Sequence, residues 1–256
     1  MLETSLESAL PLGLIATRKS LLAQGMSAHK LDNALKSGKL IALAPAVYAR
    51  SGLPVAWQGL VVSLQRLYPK GALGGLTALE LQGLGHFASL ASERSVHFYA
   101  PAKEPTWLKK LNVGGNVVWH KSDGLWLPAF ADIQNRFNDV PWRDDLEALK
   151  ISCPEKALLE LLEGVPATVS FDYADALMQG LTSLSPAKLE WLLHACTSVK
   201  VKRLFFWLAF RYQYSWLKKI DPAKFDLGSG KRAIAQNGKL DKQFQITVPE
   251  HLYGQQ

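Results

Sequence analysis

The chain has 256 residues, 48% hydrophobic and 20% charged, with a formal net charge of +7. That length and apolar content allow a sizeable core, arranged as two domains or, alternatively, one. No apolar run approaches the roughly 18 residues that cross a bilayer, and the start MLETSLESAL lacks the basic residues and long apolar core of a signal peptide, so the cytoplasm is the expected location.

In chain order, TSLE at Thr4 to Glu7 fits a capping box opening a first helix, with Leu6, Ala9 and Leu10 on one face. Pro11 and Gly13 break that pattern. Thr17 can cap a second helix over RKSLLAQ with Leu21 and Leu22 inward, which Gly25 ends by supplying a left-handed conformation. Ser27 then caps a third helix, in which Leu31, Ala34 and Leu35 fall at the i, i+3, i+4 spacing of a buried stripe before Gly38.

The outward face of the third helix holds His29, Lys30, Asn33 and Lys36, a set of hydrogen-bond donors with little acid. Two helices joined by a Gly-containing turn, the second presenting donors to the major groove, make a helix-turn-helix. LIALAPAVYAR follows, with the β-branched and aromatic content of two short strands turning at Ala44 and Pro45, the arrangement of a wing. Lys39 and Arg50 flank that wing within reach of phosphates, and residues 1 to 50 carry six basic against three acidic side chains. A plain helical packing unit is the competing reading.

Trp57, Leu60, Val61, Leu64 and Leu67 repeat at helical spacing, and TALE at Thr77 to Glu80 is a second capping-box pattern. Gly71, Gly74 and Gly75 make no phosphate loop, because no Gly-Lys-Ser/Thr follows. From Ser95 the pattern turns to period two through Val96, Phe98 and Ala100, and NVVWH at 116 to 120 is a further strand, with a short helical turn in KEPTWLKKL between them. Helices dominate beyond: Pro154 opens PEKALLELLE, with Leu158, Leu159, Leu161 and Leu162 inward, and Ser185 and Pro186 open another with Leu189, Leu192, Leu193 and Cys196 inward. Phe205, Phe206, Trp207 and Phe210 crowd a third and read as core, since no basic residues alternate with them. Phe244, Ile246 and Val248 make a closing strand before Pro249.

Charge is divided unevenly along this second half. Residues 123 to 163 carry nine acidic and four basic side chains, whereas 197 to 242 carry eleven basic and three acidic. Such a tract attracts a phosphate polymer or an acidic partner, and Lys200, Lys202, Arg203, Lys231 and Arg232 are the candidates for a second basic surface. GSGKR at 228 to 232, after a strand-like KFDL, imitates the end of a Walker A loop but lacks the leading Gly at Phe225 and the Mg²⁺-binding hydroxyl at Arg232. It reads instead as a glycine loop presenting backbone N–H groups and two cations to an anionic surface.

No catalytic constellation is evident: there is no H-E-x-x-H, no G-x-S-x-G and no D-x-D. The six histidines, at 29, 86, 97, 120, 194 and 251, form no ligand-spaced pair, and Cys153 and Cys196 read as buried small hydrophobes. No cofactor and no metal are expected. The competing function is a metal-dependent nucleic-acid-processing enzyme, with Asp144, Asp145, Glu160 and Glu163 holding the ion and Glu160 and Glu163 sharing a helix face. A pure protein-binding scaffold is a third reading.

Four segments, GMSAHKLDNALKSGKLIALAPAVYAR, GGLTALELQGLGHF, SCPEKALLELLEG and the stretch from VKVKRLFFW to FQITVP, resemble in order and spacing the AbiEi antitoxins of abortive-infection toxin-antitoxin systems, over about residues 5 to 249. The resemblance implies an N-terminal winged helix-turn-helix that represses its own promoter through inverted repeats. It also implies a C-terminal domain that counters AbiEii, a nucleotidyltransferase-like toxin, and the missing D-x-D places this chain on the antitoxin side. Base reading then falls to His29, Lys30, Asn33 and Lys36, and backbone contacts to Ser27, Lys39 and Arg50. The expected fold is α+β, with a winged helix-turn-helix and helical connector over residues 1–95 and a mixed α/β antitoxin domain over 96–256. The expected partners are operator DNA and the toxin, with no membrane; direct contact with the toxin and a homodimer on DNA stay open.

Overall fold

The computed structural model describes residues 5–85, 95–113, 115–128 and 136–254. Its elements run α1 (Leu6–Ala9), β1 (Ile15–Thr17), α2 (Arg18–Ala23), α3 (Ala28–Lys36), β2 (Leu40–Ala44), β3 (Val47–Arg50), α4 (Trp57–Leu67), β4 (Ala72–Leu73), α5 (Gly75–Leu81) and β5 (Ser95–Ala100). There follow β6 (Asn116–Lys121), β7 (Phe137–Val140), β8 (Leu149–Ser152), α6 (Pro154–Glu163), α7 (Phe171–Gly180), α8 (Pro186–Ala195), α9 (Val199–Tyr212), β9 (Lys239–Asp241) and β10 (Ile246–Val248). Backbone proximity gathers them into two units, one of Met1–Leu73, Ala91–Lys121 and Asp139–Lys150, the other of Gly74–Leu90, Ser122–Asn138 and Ile151–Gln256. The division expected between residues 95 and 96 falls at the start of β5.

The first unit begins with the α1-β1-α2-α3-β2-β3 order of a winged helix-turn-helix. Ser5 caps α1 by accepting the Ser8 N–H at 3.2 Å; Thr4, the cap expected from the sequence, lies outside the described residues. Thr17 and Ser20 form a reciprocal capping box at α2, at 3.1 and 3.0 Å. Leu21 is fully buried, but Leu22, also expected inward, is 40% exposed, because neighbouring helical residues point about 100° apart and this one-and-a-half-turn helix has one buried side.

β2 and β3 pair antiparallel as the wing, turning at Pro45 and Ala46, one residue later than read from the sequence. Ala46 takes a left-handed φ of +58° there. The sequence reading did not include β1, which pairs with β3 through Ile15↔Ala49 and Thr17↔Val47 and makes β3 the centre of a three-stranded sheet. α4 packs behind β1. The approach is close: a Cβ on Gly59 would stand 2.1 Å from the Gly13 carbonyl oxygen, so only glycine fits. At the same contact buried Ser63 accepts the Ile15 N–H at 2.9 Å and donates to the Gly59 carbonyl at 2.7 Å.

A five-stranded sheet has the order β6-β5-β4-β8-β7, with β5 and β6 parallel. As the period-two pattern predicts, Val96, Phe98 and Ala100 are buried. The parallel register sets Tyr99 opposite His120, so His97 Nδ1 lies 2.8 Å from His120 Nε2 and the Tyr99 ring stacks on His120 at 4.3 Å. The histidines that looked unrelated thus include one contacting pair; His86 lies outside the described residues.

In the second unit α6 packs against α5, α8 and α9. Pro154 opens α6 as expected, and its four leucines are buried, but so are Glu155, Lys156 and Glu160. α5 starts at Gly75 with Gly74 as its cap, so Thr77 is a buried interior residue and not the cap that TALE suggested. KFDL forms no strand, and Phe244 precedes β10 in the turn after β9. α7 had no counterpart in the sequence reading. No helix among the described residues is long and apolar enough to cross a membrane.

Burial, followed by the charge of His97, pushes His120 down from an ordinary value of 6.5 to about 4. The unfolded chain therefore takes up that proton at higher pH than the folded one. The contribution of His120 to stability is fully present above about pH 6.5 and declines as pH falls towards 4. The stability difference between the parent and His120→Asn, measured by urea unfolding, is expected to shrink across that window; a difference independent of pH would contradict the half-buried neutral pair.

Candidate nucleic-acid interface

α3 begins where Ser27 Oγ accepts the Lys30 N–H at 3.3 Å and stops before Gly38, whose φ of +70° is left-handed. Leu31 and Ala34 are buried, and α3 packs along β2. With that stripe inward, helical geometry turns His29, Asn33 and Lys36 outward as one exposed row. Asn33 Nδ2 lies 3.0 Å from His29 Nε2. Lys30, about 100° round the helix from His29, is half-buried. Three of the four expected base readers are thereby brought together and the fourth is set aside.

The expected backbone contacts fare differently from one another. Ser27 and Lys39 are exposed, the Lys39 carbonyl accepting the Ser51 N–H at 3.0 Å. The Arg50 side chain is only 20% exposed and lies 3.6 Å from the Glu7 carboxylate, which any phosphate would have to replace. No charged residue stands between Lys39 and Arg50, so the cations sit at the open end of the wing, near the exposed Ile41, and its tip, Pro45 and Ala46, is apolar. Arg18 was missed from the sequence. At the start of α2 it binds Asp32 of α3 at 3.0 Å, and this hydrogen bond, ahead of one with Tyr48, raises the Arg18 pKa. The pair ties the two helices together and answers the one acid on α3.

Two family models match this chain. The model of the N-terminal domain of AbiEi antitoxin transcriptional regulators matches residues 3–90, and that of the AbiEi antitoxin, transcriptional regulator of type IV toxin-antitoxin systems, matches residues 93–249. The chain belongs to the AbiEi family. A search of curated proteins gave no match. Among solved structures the chain is similar to the RV2827C protein from Mycobacterium tuberculosis, at 17% identity and a TM-score of 0.48, over 91% of this chain and 85% of that one.

The second basic surface expected of this AbiEi chain does not form from the five residues proposed for it. Lys200 donates to the Glu163 and Val165 carbonyls at 2.5 and 3.1 Å, closing the end of α6. Lys202 and Arg203 are only 5% and 3% exposed. Arg203 donates to four carbonyls, those of Leu227, Gly228, Gly230 and Gln245, at 2.6 to 3.1 Å. Burial, then the charge of Arg232, lowers its pKa. The glycine loop therefore turns carbonyls inward onto a cation, and one of its N–H groups, that of Gly228, is taken by Asp226 at 2.8 Å. Lys231 and Arg232 alone of the five are exposed. The physical reason is that α9 is covered on every side: each residue from Val201 to Ala209 is buried, so Lys202 and Arg203 go in with Phe205, Phe206 and Trp207.

The carboxylates of the competing enzyme reading have other engagements. Hydrogen bonds from Arg143 hold the Asp145 carboxyl below its ordinary range. Glu160, 1% exposed, accepts the Gly75 N–H at 3.1 Å and pairs with Lys156, whereas Glu163 is exposed and accepts from Ser198 at 2.9 Å. The two glutamates do not share an exposed face, and Asp144 stands exposed in the first unit. Among the described residues no three His, Cys, Asp or Glu gather as metal ligands. Cys153 and Cys196 are free and buried, each thiol pushed up to about 11, mainly by burial.

Arg203→Ala strips a buried charge from four carbonyls and should destabilise the chain by about 3 kcal/mol. Arg203→Lys should recover little, lacking the planar fork. Lys231→Ala should stay within about 0.5 kcal/mol of the parent, as an exposed site. Urea unfolding of the three variants checks this; equal effects would contradict the inward assignment.

Proposed function

We propose that this AbiEi chain is a DNA-binding autorepressor and an antitoxin. The observation that supports the first role is the exposed row of His29, Asn33 and Lys36 on a helix seated against a three-stranded wing sheet. In this reading the three side chains, with Lys30 at the margin, meet base edges in the major groove. Ser27, Lys39 and Arg50 meet phosphates, and Arg50 exchanges Glu7 for the DNA. Phosphate contacts supply most of the affinity and make it fall with salt. The operator is an inverted repeat in the chain's own promoter, occupied by two copies.

The antitoxin role falls to residues 96–256, most of which the second family model, matching 93–249, covers. The partner system's AbiEii-like toxin is its object, by direct capture or through the toxin's own target, and Lys231 and Arg232 are among the exposed cations of the basic tract. No catalytic step is assigned to this chain.

The test is a gel shift of the intact protein on its own upstream DNA, at two salt concentrations, beside an unrelated duplex. Asn33→Ala and Lys36→Ala should each weaken operator binding by about 1–3 kcal/mol. Unchanged binding would remove the assignment of α3. The same full-length variants should still relieve toxin-induced growth arrest; loss of both activities together would contradict the division of labour.

A further inference from the structure

The contact between Asn33 and His29 goes beyond a row of donors, because it fixes what each group can offer. An amide nitrogen donates and has no lone pair to give, so at the 3.0 Å contact His29 Nε2 accepts. Asn33 spends one N–H on the ring and keeps its second N–H and its carbonyl Oδ1 for a ligand. Both residues are exposed, one turn apart, on the outward side of α3. The acid beside them, Asp32, is bound to Arg18 at 3.0 Å.

An edge with one donor next to one acceptor matches one base of the major groove. Adenine shows the N7 acceptor beside the N6 donor, whereas guanine shows two acceptors, N7 and O6. Turned over, the same amide would place Oδ1 against an Nε2–H of His29 and send both N–H groups outward, which suits guanine. The partner that His29 supplies therefore selects the base. We infer that Asn33 is a specificity-determining residue that reads an adenine at one position of each bound site, with His29 as the positioning residue that holds its amide in register. This rests on the DNA-binding reading above. Lys36, a point charge with three donors and no acceptor, has no such preference built into it.

The experiment uses the intact protein and its own upstream duplex, with adenines replaced one at a time by 7-deaza-adenine, which lacks the N7 acceptor, and guanines by 7-deaza-guanine. For the parent, one adenine per bound site should show a loss of about 5- to 100-fold in affinity. In Asn33→Ala the unmodified duplex binds more weakly and that loss disappears. In His29→Ala the loss shrinks to a few-fold while the salt dependence of binding stays that of the parent, and His29→Gln, which can still accept at the same spacing, restores part of it. Lys36→Ala should keep the full adenine loss. The inference is overturned if the loss falls at a guanine instead, if no single adenine shows it, if it survives in Asn33→Ala, or if His29→Ala leaves it intact. If the intact protein shifts its own DNA no better than an unrelated duplex, the DNA-binding reading falls and takes this inference with it; the other failures leave that reading standing.

Discussion

The seating of α3 decides the rest. Leu31 and Ala34 are buried along β2, and with a period of 3.6 residues that single choice of inward stripe dictates that His29, Asn33 and Lys36 face out together. Burying one leucine contributes about 1.5–3 kcal/mol, enough to fix the rotation of a nine-residue helix that has little else to orient it. The neighbouring elements reinforce the same rotation. The Arg18–Asp32 pair holds α2 to α3, and β2, the strand α3 packs along, is held in turn by β3, clasped between β1 and β2. α4 in turn braces β1 at the close contact of Gly59 with the Gly13 carbonyl and through the Ser63 hydroxyl. A chain of ordinary packing contacts thus ends in an exposed polar row, and the functional reading inherits its definition from the core behind it.

The caps and stripes of the first fifty residues were legible because each is a local signal. Ser27, Thr17 and Gly38 act on backbone groups within a few residues of themselves, and the Leu31–Ala34 stripe repeats within one helix. β1 was not legible. Three residues are too few to show a period, and Ile15–Thr17 becomes a strand only because β3, more than thirty residues on, supplies its hydrogen bonds. The pairing of His97 with His120 is lost to sequence for the same reason, being set by a parallel register that no spacing rule encodes.

Charge was the least faithful guide. A count along the chain marks 197–242 as basic, yet a side chain's role depends on what covers it, and Lys202 and Arg203 lie on a helix stretch that is buried all round. There Arg203 gathers carbonyls from a loop and from the turn before β10, so it organises backbone and offers little to a partner. Lys156 and Glu160 behave alike, a buried pair whose carboxylate also meets the first N–H of α5. Buried charges of this kind are costly unless fully answered, and here they are answered by backbone groups and by each other. Of the cations singled out from the sequence, Lys36, Lys39, Lys231 and Arg232 are the exposed ones.

The account's central claim is that the outward side of α3, with the wing beside it, is where this AbiEi chain meets DNA. Amide hydrogen exchange of the intact protein, with and without its own upstream duplex, tests that most directly. Added protection confined to residues 27–50 is the predicted result. Protection confined to the second unit, with α3 and the wing exchanging as they do in the free protein, would contradict it.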